Sequence, residues 1–258
     1  MVFFLAGENG IQVMSRVFRC DLHIHTCLSP CADLDMYPRA IVDKALAEHL
    51  DVIAICDHNA SENVPHVLKI AEGKPLVVLS GMEVTSSEEV HVLALFDDFG
   101  DLENLQALIY DHLPGVNDEN AFGCQVIVNE LDEVEGFNER LLIGATELTL
   151  AELIESIRGF GGLAIASHID RESFSVLSQL GFIGDDTPFD ALEVTRALGI
   201  RNGKRKYPHL ASYPFVESSD AHFLDEIGKG TTQFYLEKGT LGEIRMAFAG
   251  QDGRYVLD

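Results

Sequence analysis

The stretch Cys20-Asp21-Leu22-His23-Ile24-His25-Thr26 closes a short apolar run at Val17-Phe18 with side chains able to bind a metal ion. In an extended strand, residues two apart share a face, so Asp21, His23 and His25 project together and two imidazoles at one strand end can chelate a single ion. Further donors recur along the chain: His58 after Cys56-Asp57, Glu83 in Gly81-Met82-Glu83-Val84, His91 ahead of an apolar run, His168 after Ser167, then Asp220 and His222. Six of the ten histidines belong to this set, and all fall beside apolar runs of strand length. Imidazole and carboxylate donors without several thiolates suit zinc, manganese or iron in a hydrolytic role rather than a structural zinc finger. The remaining histidines, His49, His66, His112 and His209, fall on helical stretches or beside proline-containing turns and read as packing or solvated residues. The acidic stretch 130–139 lacks the spaced oxygen ligands and turn glycine of a calcium loop and reads as a solvated face.

The elements that must carry these donors alternate. Helical patterns are expected over about 38–50, 61–72, 102–110, 149–158 and 241–249; apolar runs of strand length end at Cys56, Val84, Phe96, Ser167, Arg196, Asp220 and Leu236. Pro38 suits a first helical turn, and the run 50–56 has the continuous apolar character of a parallel strand buried on both faces. Strand and helix alternate about seven times from Val17, which predicts an α/β fold with a parallel sheet. Donors ending nearly every strand favour a distorted seven-stranded (βα)7 TIM-like barrel with metals at its C-terminal rim over an open sheet with one crevice. Neither a G-x-G-x-x-G nor a Walker A sequence occurs. Residues 17–258 read as one barrel domain after an N-terminal extension over 1–16, with an irregular elaboration at about 97–148 that is a candidate lid; Met14 is a candidate natural start.

The net charge of −24, from 18 basic and 42 acidic residues, argues against long nucleic acid as a partner and leaves small anionic substrates drawn to a cationic centre. Five cysteines without paired spacing fit reduced thiols and a cytoplasmic protein. The apolar start, 1–6, is too short for a signal sequence or a membrane span. Arg171, after the His168 motif, and Arg196, at a strand end, are candidate phosphate ligands because a guanidinium fork binds two oxygens. Arg201, Lys204, Arg205 and Lys206 form the only dense basic cluster, which reads first as a solvated helix terminus and alternatively as a guide for a second phosphate or a short oligonucleotide end.

Taken together, Asp21-Leu22-His23-Ile24-His25, Cys56-Asp57-His58-Asn59, Gly81-Met82-Glu83-Val84, the His91 strand, Ser167-His168 and Ser219-Asp220-Ala221-His222 resemble the motifs of the PHP (polymerase and histidinol phosphatase) family. The resemblance spans residues 17 to about 250. It implies two or three divalent ions (Zn, Mn or Fe) and phosphoester hydrolysis through a metal-bound hydroxide. By the same resemblance His23, His25, Glu83 and Asp220 hold one ion, Glu83 bridges to a second held by His91 and His168, and His58 with His222 hold a third. Relatives often place an aspartate where this chain has Pro30, so Cys31 or Asp33 is a candidate substitute ligand at the third site. Glu83, His58 and His222 are the expected catalytic groups, with a rim histidine or a metal-bound water protonating the leaving alkoxide. The expected substrate is a small phosphorylated metabolite or nucleotide. The alternatives are a 5′-to-3′ exonuclease on short oligonucleotides, an amidohydrolase-type hydrolase and a non-catalytic metal-binding module.

Overall fold

The computed structural model describes residues 14–184 and 187–257, so most of the expected extension over 1–16 lies outside the described residues. Strands and helices follow in the order β1 (Arg16–Ile24), α1 (Pro38–Ala47), β2 (Val52–Ile55), α2 (Val64–Ala71), β3 (Val77–Thr85) and β4 (His91–Phe96). Then come α3 (Phe99–Asp111), α4 (Glu119–Phe122), β5 (Val126–Val128), β6 (Val134–Phe137), α5 (Leu150–Gly159) and β7 (Leu163–Ala166). The chain ends with α6 (Val176–Leu180), β8 (Ala191–Thr195), α7 (Ile200–Lys206), β9 (Phe215–Ser218), β10 (Thr232–Leu236), α8 (Leu241–Ala249) and β11 (Tyr255–Val256).

One sheet of nine strands, in the order β11-β10-β1-β2-β3-β4-β7-β8-β9, curls until its seventh ring strand nearly meets the first. The closing contacts lie at the rim: Ile24 bridges Ala221 in parallel, and His25 N–H donates to the Ala221 carbonyl at 3.0 Å. Two details depart from the expected seven parallel strands. β4 runs antiparallel to both β3 and β7, because the five residues 86–90 make a hairpin turn too short for a parallel crossover. β10 and β11 add two antiparallel strands outside β1, bringing the sheet to nine.

Period-two alternation divides the apolar side chains into two cores. One face of the strands (Ile53, Ile55, Met82, Val84, Val92, Ala94) packs under the helices, with Ile41, Val67, Leu105 and Ile157 opposite. The other face (Leu22, Leu79, Leu93, Leu95, Ile165, Val216) fills the barrel, together with Leu241 and Ile244 of α8. Buried apolar side chains of this size contribute roughly 1.5–3 kcal/mol each. The interior rows change character as they climb: Leu79 and Gly81 give way to Glu83, Leu95 and Leu93 to His91, Ala191 to Glu193. Gly81 is required there, since a Cβ would stand 2.7 Å from the Ile55 carbonyl oxygen.

Residues 97–148 form α3, α4 and the β5–β6 hairpin, which is fastened to the flank of the barrel. The Asn63 side chain donates to the Val126 carbonyl and accepts from Val128 N–H at 3.1 and 3.0 Å. Arg39 pairs with Asp132 at 2.9 Å and His66 with Glu130 at 2.9 Å. Among the described residues no helix is long and apolar enough to cross a membrane.

Candidate metal centre

The rim brings His23, His25, His58, Glu83, His91, His168, Asp220 and His222 into one buried cluster. Glu83, 1% exposed, is its hub. Its Oε1 lies 3.1 Å from His91 Nδ1, 3.3 Å from His168 Nε2 and 3.5 Å from His23 Nε2. Its Oε2 lies 3.2 Å from His58 Nδ1 and 3.6 Å from His25 Nε2. Asp220 Oδ1 stands 3.2 Å from His25 Nε2 and 3.3 Å from His23 Nε2, while its Oδ2 pairs with Arg171. The His222 ring stacks on His25 at 4.2 Å.

Outer hydrogen bonds fix which ring nitrogens face inward. Glu193 can only accept, so His23 donates Nδ1–H to it at 3.1 Å and turns Nε2 to the cluster. Ser29 Oγ donates to Asp57 at 2.6 Å, so it accepts from His25 Nδ1–H at 3.0 Å and from His58 N–H at 3.1 Å. His222 Nδ1–H donates to the Asp220 carbonyl at 2.9 Å. The consequence is that His23 Nε2 and His25 Nε2 point at each other from 3.1 Å, with Asp220 Oδ1 beside them. Three acceptor atoms that close suit a shared cation, a metal ion or the proton on His23 that it displaces.

The donor chemistry and its unpaired atoms fit divalent ions. His58 Nδ1, Glu83 Oε1, His91 Nδ1 and both nitrogens of His168 are buried with no hydrogen-bond partner among the described residues. Each such group costs about 1–3 kcal/mol unless it is satisfied. Three donor groups, His23–His25–Asp220, His58–Glu83–His91 and His25–His58–His222, each have their atoms within 4.8 Å of one another. Burial, with His222 nearby, brings the pKa of His25 down to about 3, and burial takes His58 well below the imidazole range against the pull of Glu83; both are neutral ligands at neutral pH. Burial raises the Glu83 carboxyl, yet the imidazoles of His91 and His23 hold it well below the usual carboxylate range. Asp220 is lowered in the same way, His23 and His25 overcoming its burial.

Backbone strain accompanies the site. His168 (φ 29°), Asp220 (φ 51°) and Asn59 (φ 49°) take left-handed conformations unusual for residues with a Cβ, at a cost of order 1–3 kcal/mol each. Phe174 (φ 57°) stacks its ring on His91 at 4.8 Å and accepts the His91 N–H.

Of the other predicted residues, Cys31 is exposed overall but lines the mouth of the site, where burial of its thiol and the Glu83 charge push its pKa up to about 12. Asp33 caps its own turn by accepting Asp35 N–H at 2.9 Å. Both stand outside the three donor groups. Arg171 and Arg196 line a cavity of about 470 Å³ at the mouth, Arg171 paired with Asp220 and Arg196 with Glu226 at 3.0 Å. Asp21 shares the strand with His23 but is spent on position, accepting Ser219 N–H and Gly228 N–H at 3.0 and 2.9 Å; burial raises its pKa to about 6. Sequence reasoning missed Glu193 and Ser29. The signal for Glu193 was a lone carboxylate inside the apolar run 191–195, and Ser29 carried no signal.

A model of the PHP domain matches residues 21–173, and one of a PHP-associated region matches residues 204–248. The uncharacterized protein YqxK of Bacillus subtilis (strain 168) is 31% identical over 113 residues, covering 41% of this chain and 28% of YqxK. The lesion-specific endonuclease PfuEndoQ of Pyrococcus furiosus superposes with a TM-score of 0.73 at 20% identity, over 93% of this chain and 58% of that one. Endonuclease Q in complex with a 27-mer duplex bearing an abasic lesion at the active site gives 0.72 at 19% identity. Two smaller proteins share the fold more distantly. They are a proposed metal-dependent phosphoesterase from Bifidobacterium adolescentis (TM-score 0.55, 18% identity, 79% of this chain and 87% of that one) and an amidohydrolase from Chromobacterium violaceum (0.57, 17%, 82% and 90%). The chain spans a little over half the length of the endonuclease it resembles.

Proposed function

We propose that this chain, which belongs to the PHP domain family, is a metal-dependent phosphoesterase whose substrate is a phosphodiester of a nucleic-acid strand. The observation that carries the hydrolase reading is the convergence of five imidazoles within 3.6 Å of the Glu83 carboxylate, with unpartnered nitrogens among them. His23, His25 and Asp220 would hold one ion; Glu83, with His91 and His168, a second that it shares; His58 and His222 a third. Divalent zinc, manganese or iron bound there lowers the pKa of water from about 15.7 toward 7 and offsets negative charge on the phosphoryl oxygens.

The protein's own groups supply orientation. Glu193 and Ser29 hold the His23 and His25 tautomers with Nε2 inward. Arg171 and Arg196 each pair with one carboxylate and keep further N–H donors for phosphoryl oxygens at the mouth. Of the ligand histidines, His222 is the most exposed (20% of its side chain). With Nδ1–H held by the Asp220 carbonyl and Nε2 left to a metal it has no proton to spare, so the departing alkoxide would take its proton from water at the mouth. Phe223, half exposed beside His222, gives the mouth an apolar wall.

The strand is preferred to a small phosphate ester because the endonuclease likeness covers 93% of this chain. A free nucleotide remains the second reading, favoured by the acidic surface. The test is turnover by protein loaded with Mn²⁺ or Zn²⁺ on a 5′-labelled oligonucleotide, a nucleoside monophosphate and bis(p-nitrophenyl) phosphate, with His23→Ala as control. Cleavage of the strand and the diester, lost in the variant, is expected. Phosphate release from the monophosphate alone would select the second reading, and amide hydrolysis without any phosphoester turnover would overturn both.

A further inference from the structure

The β8–α7 connection leads from the metal centre to a second cavity. Thr195, Arg196 and Ala197 line the mouth of the centre, and Gly199, Ile200 and Arg201 line a separate space of about 590 Å³. This space lies at the seam between β9 and β10, which are joined there through the Thr232 hydroxyl: it accepts Glu217 N–H and donates to the Glu217 carbonyl, both at 2.8 Å. Adjacent residues of β9 face the two cavities, Ser218 the first and Glu217 the second.

Arg201 and Arg205 are four residues apart on α7, so their guanidinium groups leave one side of the helix and reach this space together. Neither has a hydrogen-bond or ion-pair partner among the described residues, in a chain whose formal charge is −24. Every other arginine among the described residues is engaged in an ion pair, a backbone hydrogen bond or a ring contact. Helix stability explains only part of the cluster. Lys204, Arg205 and Lys206 sit in the last turn, where cations complement the dipole, whereas Arg201 sits in the first, where a cation opposes it. Among the described residues the one carboxylate lining the cavity, Glu217, turns toward the start of α7 beside Gly199 and the Ile200 N–H.

We propose that Arg201 and Arg205 form a second anion site, which binds a backbone phosphate of the substrate strand flanking the scissile bond. The assignment rests on the strand reading given above, and it adds a contact that a mononucleotide cannot make. Two planar forks can close on one phosphate from two sides, and an otherwise acidic surface confines a strand to this track.

The test compares wild type with Arg201→Ser/Arg205→Ser and with Arg201→Lys/Arg205→Lys, all loaded with Ca²⁺. Fluorescence anisotropy follows binding of a labelled single strand of about a dozen nucleotides over a range of salt. The serine variant is expected to bind about tenfold more weakly, with its log–log salt slope reduced by about 0.7 for the one phosphate no longer neutralised. The lysine variant should restore the slope. Turnover of bis(p-nitrophenyl) phosphate by the Mn²⁺ forms should be unchanged by either pair. Equal affinity and slope in wild type and serine variant, or no binding of the strand by wild type, overturns the proposal. Failure of all three proteins to cleave the diester would instead count against the phosphoesterase reading, while the anisotropy comparison would still decide the arginine pair.

Discussion

Replacing Glu193 by Gln isolates the contribution of a single carboxylate that touches no metal-facing nitrogen. Its two oxygens lie 3.1 and 3.3 Å from His23 Nδ1, and one also accepts His168 N–H at 3.0 Å, so one buried group anchors two ligands. Gln keeps the volume and, with its oxygen in the place of Oε2, still accepts from both His23 Nδ1–H and His168 N–H, but it loses the charge and turns its NH₂ toward His23 Nδ1–H, donor against donor. A charge-assisted hydrogen bond of this kind contributes about 1.5–3 kcal/mol, which corresponds to a 10- to 150-fold loss of metal affinity. Carboxylates behind metal-bound histidines typically show losses of about 10- to 100-fold, so the two figures agree. One effect opposes the loss: without Glu193, His23 retains its competing proton less tightly. The assay is competition with a chromogenic chelator for Mn²⁺ or Zn²⁺, with circular dichroism confirming that the variant is folded. A folded Glu193→Gln variant that binds metal within about twofold of wild type would refute the argument that this carboxylate orients His23.

Two further expectations come from the same geometry. Burial pulls the His23 pKa down, but Asp220, Glu193 and Glu83 together raise it well above the ordinary imidazole value. This group therefore stabilises the metal-free protein fully below the unfolded value of about 6.5, and the contribution is lost as pH rises through the raised folded value. Because metal must displace that proton, affinity should climb up to about tenfold per pH unit between roughly pH 6 and 8; chelator competition across that range checks it, and a flat profile contradicts it. Separately, Asn59 donates to the Leu142 and Gly144 carbonyls at 2.7 and 2.8 Å and accepts Thr85 N–H at 3.1 Å. Asn59→Ala strands three backbone groups and should cost at least about 2 kcal/mol in urea denaturation; a loss under about 0.5 kcal/mol would mean that water replaces all three.

The donor set was legible because strand periodicity and strand ends concentrate it. His23 and His25 share one strand end, and Glu83 heads an interior row that a period of two reveals. The direction of β4 was not legible, since six consecutive buried residues read the same forwards and backwards; only the length of the 86–90 turn hinted at reversal. Partnerships across the barrel were hidden for a different reason. Arg171 meets Asp220, and Glu193 meets His23, only because the sheet curls until distant strand ends face one another, and local pattern carries no record of that closure. The unpaired state of Arg201 and Arg205 was equally invisible, because the sequence shows a basic cluster without showing which of its charges are neutralised.

The reversed strand has a consequence for how the chain can vary. Glu83 faces Leu93 and Thr85 faces His91 on one antiparallel ladder, so two donors reach the cluster through a single hairpin whose turn is closed by Ser86 N–H on the Val90 carbonyl at 2.9 Å. Surface turns ordinarily absorb an added or deleted residue. Here a slip by one position would carry His91 to the helix-covered face while Leu95 and Leu93 exchanged places with Ala94 and Val92. The turn's length is therefore as constrained as the identity of the donors it connects.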